Sequence, residues 1–78
     1  MDKSVVIYST PGCPWCRMVK QFLQENNVFF QDFDVSQNQE KAEEMIQKSG
    51  QMGVPVVEID GQIIVGFDKE KIQEALDL

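Results

Sequence analysis

The fold class this sequence predicts is α/β: a four-stranded mixed sheet flanked by three helices, in the order βαβαββα. Three observations predict it. Two β-branched or aromatic runs bracket a helical apolar repeat, a second helical repeat follows, and a strand–turn–strand pattern surrounds Asp60-Gly61 near the end. The 78 residues are enough for one compact domain, taken as residues 1–78.

The elements follow in order. Residues 5–8 form a short run that ends in Ser9-Thr10-Pro11-Gly12, which is turn chemistry, and read as a buried strand. From Pro14, the residues Met18, Val19, Phe22 and Leu23 recur at helical spacing as far as about Glu25, and Asn26-Asn27 stops the helix. Residues 28–35 alternate imperfectly and read as a second strand, with Val28, Phe30 and Phe33 inward. Ser36 to Asn38 offers caps for a second helix with Ala42, Met45 and Ile46 as its apolar stripe and Gly50 as its stop. Residues 54–59 and 62–65 are strands joined by the tight Asp60-Gly61 turn. Gly66 breaks the last strand, and Asp68 caps a final helix that turns Ile72, Ala75 and Leu76 inward. The first two strands are expected to be parallel through a right-handed crossover, and the last two antiparallel.

Composition narrows the function. A net charge of −6 argues against nucleic-acid binding, which needs a basic footprint. No apolar run approaches the roughly 20 residues of a membrane span, and the N-terminus lacks an apolar signal region. A cytoplasmic location is expected. The two cysteines, with no histidine, are too few for a structural zinc site, so no metal is expected. A disulfide across two intervening residues closes too short a loop to stabilise the fold much. The cysteines are therefore expected to serve chemistry.

The strongest signal is Cys13-Pro14-Trp15-Cys16, at the junction of the first strand and first helix. A C-x-x-C beside a βαβ pattern marks a thioredoxin-like redox motif. A helix N-terminus presents unpaired N–H groups and the positive end of the helix dipole. A thiolate placed there is stabilised, which makes Cys13 the expected nucleophile. Cys16 lies one helical turn on, within reach of a mixed disulfide on Cys13, and is expected to be buried and resolving. Pro14 suits the first helical turn, where a missing N–H costs nothing. Arg17 and Lys20 read as a solvated helix face, or alternatively as added positive field at sulfur.

Two further signals lie downstream. In a fold with an upstream C-x-x-C, Pro55 of Gly53-Val54-Pro55 is expected to follow a cis bond, with the backbone of Val54 open to an extended substrate strand. Gly66-Phe67-Asp68 offers an anion site of backbone N–H groups, a carboxylate for a cation, or simply a helix cap with Phe67 as its staple.

With these signals in this order the chain resembles the glutaredoxins essentially end to end. The resemblance rests on Ile7-Tyr8-Ser9, Cys13-Pro14-Trp15-Cys16, Ser49-Gly50 before Val54-Pro55, Ile59-Asp60, and Gly66 with Asp68. It implies a thioredoxin-like fold, with glutathione as reductant and co-substrate lying between the cysteine motif, the Val-Pro turn and the last helix. By that likeness Cys13, Trp15, Gln51, Val54, Pro55, Gly66, Phe67 and Asp68 line the glutathione site. Val54 pairs with the backbone of glutathione, and Phe67 and Asp68 take its γ-glutamyl end. Trp15 stands where the family usually has Tyr. The expected partners are disulfide-containing or glutathionylated proteins, met by a monomer.

There are departures. Thr10 stands where many relatives carry Lys, Gln51 where many carry Arg, and Val65 where many carry a second Gly. The first two remove cations that meet a glutathione carboxylate, and charge-assisted hydrogen bonds are roughly twice as strong as neutral ones. The segment from Met52 to Pro55 and the Gly66-Phe67-Asp68 corner also resemble the redoxins that thioredoxin reductase reduces and that supply ribonucleotide reductase, whereas Pro14-Trp15 is similar to the true glutaredoxins. A [2Fe–2S] cluster shared by two chains through Cys13 and glutathione is a further family property, and Pro14 weighs against it.

Overall fold

The computed structural model describes residues 3–78. Its elements are β1 (Val5–Ser9), α1 (Pro14–Glu25), β2 (Gln31–Asp34), α2 (Gln39–Ser49), β3 (Val56–Ile59), β4 (Gln62–Val65) and α3 (Lys69–Leu76). The sheet order is β2-β1-β3-β4. β1 and β2 run parallel, and β1–β3 and β3–β4 are antiparallel. This is the mixed four-stranded sheet the sequence implies.

Alternation along β1 divides the interior in two. Val5 and Ile7 point to the side of α1 and α3, where they pack with Val19, Leu23, Val57, Ile59, Ile64 and Ile72. Tyr8 points the other way, against Met45 of α2 and Val56. A strand with a period of two, buried on both faces, has to be apolar throughout, as 5–8 is.

Local chemistry sets the ends of the elements. α1 stops in a Schellman motif: Asn27 takes φ 57°, its N–H bonds to Gln24 O at 3.1 Å, and Val28 N–H bonds to Leu23 O at 2.9 Å. Asn38 caps α2, its side chain accepting from Lys41 N–H at 3.1 Å. The β3–β4 turn has positive φ at Asp60 (48°) and Gly61 (89°), the type I′ geometry that follows the sheet's twist.

Two strand starts and one side chain differ from the sequence reading. β2 begins at Gln31, not 28, because its pairing with β1 starts at Val6 opposite Gln31. Val28 and Phe30 still turn inward, from the loop, while Phe29 stands 87% exposed. β3 begins at Val56, not 54, since Pro55 has no N–H to give the ladder. Met18 is exposed rather than inward, so the buried stripe of α1 is Cys16, Val19 and Leu23. Among the described residues, no helix is long and apolar enough to cross a membrane.

Candidate active site

β1 ends at Ser9, and four residues later Cys13 is the N-cap of α1. Its backbone is extended (φ −91°, ψ 110°), its carbonyl accepts from Arg17 N–H at 3.2 Å, and its Sγ accepts from Cys16 N–H at 3.2 Å. The sulfur thus takes the place of the hydroxyl or carboxylate oxygen that usually caps a helix. Pro14 occupies the first helical turn. Both thiols are free, with Cys13 half-buried and Cys16 1% exposed.

That difference in burial separates the two sulfurs chemically. Burial, and then its hydrogen bond to Cys13, pushes the Cys16 thiol up to about 11. The backbone N–H of Thr10 and the charge of Lys20 act against that rise. Cys16 is therefore a protonated thiol near neutral pH, beneath the half-exposed Cys13.

Beside Cys13 a cleft of about 310 Å³ is lined by Trp15, Val54, Pro55, Gly66 and Phe67. The Val54–Pro55 bond is cis, as the sequence reading expects. No backbone hydrogen bond ties Val54 to the rest of the described chain. Gly66, at φ 77°, donates its N–H to Pro55 O at 2.8 Å and joins the two walls. Phe67 meets Phe22 of α1 edge-on, with ring centres 6.1 Å apart, so the third wall is fixed to the cysteine helix.

The remaining residues of the expected site lie at its margins. The Asp68 carboxylate caps α3, accepting from Lys71 N–H at 3.2 Å, with Lys71 Nζ at 4.0 Å. The Gln51 amide donates back to Gly53 O at 3.1 Å and so braces its own loop. Five of the eight expected residues share one cleft, Cys13 stands beside it, and Gln51 and Asp68 are held by local bonds. A larger hollow of about 440 Å³ is lined by Gln24 and by residues 27–30, at the far end of α1, and contains no thiol. Among the described residues, no three His, Cys, Asp or Glu side chains gather as a metal site.

The structure adds two groups that the sequence reading did not connect. Ser9 Oγ donates to Asp32 Oδ1 at 2.6 Å, and Asp32 Oδ2 pairs with Lys20 Nζ at 2.6 Å. Tyr8 OH donates to Glu44, which lies near Lys41 and Lys48. The available signals were the helical spacing of Lys20 from Cys16 and the alternation that puts Asp32 level with Ile7.

The glutaredoxin family profile matches residues 5–64. The chain belongs to the glutaredoxin family. It is 47% identical over 73 residues to a glutaredoxin-like 8.6 kDa protein of Clostridium pasteurianum, covering 94% of this chain and 97% of that one. It is 42% identical over 65 residues to glutaredoxin 3 of Escherichia coli, covering 83% and 78%. Among solved structures, the glutaredoxin of Archaeoglobus fulgidus superposes with a TM-score of 0.87 at 25% identity, covering 95% and 86%. A thioredoxin-like protein superposes at 0.90 with 35% identity and 95% coverage of each chain. This is a glutaredoxin-family redox protein with a thioredoxin-like fold.

Proposed function

We propose that this chain is a dithiol glutaredoxin that reduces protein disulfides and glutathionyl mixed disulfides, with glutathione as its reductant, in the cytoplasm. The observation that carries the reading is the capping of α1 by Cys13 Sγ, with buried Cys16 beneath it and the cleft beside it. The Cys13 thiolate attacks a substrate disulfide. One sulfur of that disulfide leaves as a thiolate and is protonated by solvent, and the other stays on Cys13. Cys16 gives up its proton and attacks Cys13 Sγ, which releases the second thiol and leaves a Cys13–Cys16 disulfide. Two glutathione molecules then reduce that disulfide and are themselves oxidised to glutathione disulfide. When the substrate is glutathionylated, the glutathionyl group stays on Cys13 and a second glutathione resolves it without Cys16.

In this reading glutathione lies in the cleft, with its backbone along Val54, Trp15 flanking the sulfur, and its γ-glutamyl end toward Phe67 and Asp68. The Gly66-Phe67 turn closes the pocket, and Gln51 stands where many relatives carry Arg.

Reduction by thioredoxin reductase, with ribonucleotide reductase as acceptor, is the second reading. One arrangement favours it: Gln51 is turned onto Gly53, and Thr10 supplies no charge, so a glutathione carboxylate has weak anchorage. One assay, run with glutathione plus its reductase and again with thioredoxin reductase, separates the two. Turnover with glutathione supports the first reading, and turnover only with thioredoxin reductase replaces it. Cys13→Ser is expected to abolish turnover in either arm, whereas Cys16→Ser spares deglutathionylation and loses protein-disulfide reduction. A Cys13→Ser variant that still turns over would falsify the mechanism.

In the glutathione arm, Thr10→Lys with Gln51→Arg is expected to lower KM. Each regained charged hydrogen bond supplies about 1.5 kcal/mol, roughly tenfold before screening. A steady-state titration at low and high salt checks this, and the gain shrinks as salt rises.

A further inference from the structure

Lys20 is not the solvated charge that its position in the sequence suggests. It lies four residues beyond Cys16 on α1, where side chains one turn apart are neighbours. Its side chain is 28% exposed and ends 2.6 Å from Asp32 Oδ2. Asp32 in turn accepts from the hydroxyl of Ser9, itself 2% exposed. The register accounts for the arrangement. Ile7 lies opposite Asp32, and Ile7 faces α1, so Asp32 and Ser9 face α1 as well. Three elements meet at the Asp32 carboxylate: β2 supplies it, β1 donates to it through Ser9, and α1 pairs with it through Lys20.

The pair contributes little to stability, because a partly exposed ion pair is weak and ordering a lysine costs side-chain entropy. What it does achieve is position: it holds a cation within one turn of a buried thiol. We propose that Lys20, clamped by Asp32 and Ser9, is a positioning residue for the resolving step, fixing the charge against which Cys16 gives up its proton. The proposal rests on the dithiol reading above.

The chemistry is specific to the intermediate. In the free dithiol, burial, the hydrogen bond to Cys13 and the charge of Cys13 all hold the proton on Cys16. Once Cys13 carries the substrate sulfur it is neutral, and its two contributions vanish. Burial then remains alone against the Thr10 N–H and the Lys20 charge. The Cys16 proton passes to water, and the Cys16 sulfur pair bonds to Cys13 Sγ. The Cys13–substrate bond breaks, and the substrate thiolate leaves and is protonated by solvent. Substrate sulfur is reduced and the cysteine pair oxidised. The titratable groups acting on Cys16 are Cys13 and Lys20 of α1 and, through Lys20, Asp32 of β2. On this face β1 and β3 contribute Val5, Ile7, Val57 and Ile59, apolar residues, and the hydroxyl of Ser9.

The test uses the reduced full chain and one equivalent of dithiobis(nitrobenzoate). This disulfide releases one coloured thiol when Cys13 is derivatised and a second when Cys16 resolves the adduct. Stopped-flow traces across pH give a midpoint for each release. Lys20→Met is expected to raise the second midpoint by roughly half a unit to one unit and leave the first in place, and Lys20→Arg is expected to restore it. An unchanged second midpoint in Lys20→Met, or no restoration by Lys20→Arg, overturns the proposal. Should Lys20→Met not fold, Asp32→Asn carries the test. It removes the opposing charge while keeping an oxygen for Lys20, so the second midpoint must fall, and an unchanged midpoint overturns the proposal equally. If the unsubstituted chain releases only one thiol, the dithiol reading itself fails, an outcome distinct from all of these.

Discussion

Adjacent residues of β1 send their hydroxyls to opposite faces of the sheet, and each meets the same kind of partner. On the α2 face, Tyr8 donates to Glu44, which lies 3.7 Å from Lys48. On the α1 face, Ser9 donates to Asp32, which holds Lys20. The two differ in what the lysine meets next. Lys48 also bonds Glu58 at 2.8 Å and Tyr8 OH at 3.3 Å, and Lys41 lies over the Phe33 ring at 4.3 Å. Within that network Lys41 and Lys48 are each answered by a carboxylate, and none of its members is a thiol. Lys20 meets the Asp32 carboxylate, and its charge bears on Cys16. The same triad of hydroxyl, carboxylate and ammonium ties a helix to a sheet in one place and serves a reactive sulfur in the other. Its position relative to the cysteine helix decides which.

The sharpest way to break this comparison is to remove each hydroxyl in turn. Tyr8→Phe and Ser9→Ala each delete one donor to a half-exposed carboxylate, and each is expected to cost about 1 kcal/mol in urea unfolding. Their kinetics are expected to part company. Tyr8→Phe leaves both thiol releases unchanged. Ser9→Ala raises the second midpoint, by less than Lys20→Met does, because Asp32 still holds Lys20. Identical release profiles for the two variants would erase the distinction.

A smaller effect tests the α2 face alone. The Tyr8 hydroxyl, followed by Lys41 and Lys48, holds the Glu44 carboxyl below the usual carboxylate range. A depressed carboxyl contributes stability above its unfolded value, near 4.3, and loses it as pH falls through the folded value. Glu44→Gln is therefore expected to flatten the acid limb of a urea-midpoint curve below about pH 4. Tyr8 shifts the opposite way, held above the usual phenol range first by burial and then by its bond to Glu44. Its contribution is present below about pH 10 and is lost as pH rises through the folded value, so Tyr8→Phe flattens the alkaline limb. Curves that run parallel to the unsubstituted chain at both ends would show that this network carries no pH-dependent stability. High salt is expected to reduce both effects.

Much of the cysteine site was legible because its signals are local. A cysteine before Pro14 at a helix start becomes an N-cap, and the residue one turn on falls on the buried stripe beside Val19 and Leu23. The Asp60-Gly61 turn and the Asn38 and Asp68 caps depend on a few neighbouring residues and appear where the sequence puts them. Two differences arose where one residue's role depends on a distant strand. Residues 28–30 have strand-like side chains, yet β1 offers pairing only from Val6 opposite Gln31. Lys20 has the composition of a solvated helix face, yet Asp32 draws it in from another element.

The sequence by itself determined the order of the elements, their caps, and the placement of two cysteines one turn apart at the start of the first helix, because periodicity and capping act over four or five residues. It also carried enough of the cysteine and Val-Pro motifs to point to the family. Only the tertiary structure decided that Trp15, Val54, Pro55, Gly66 and Phe67 wall one cleft, and that Gln51 folds back on its own loop. It alone decided that Ser9 and Asp32 reach Lys20 beside Cys16. The cleft and the Asp32 contacts join residues far apart in the chain, and a one-residue shift between β1 and β2 would turn Asp32 to the other face of the sheet.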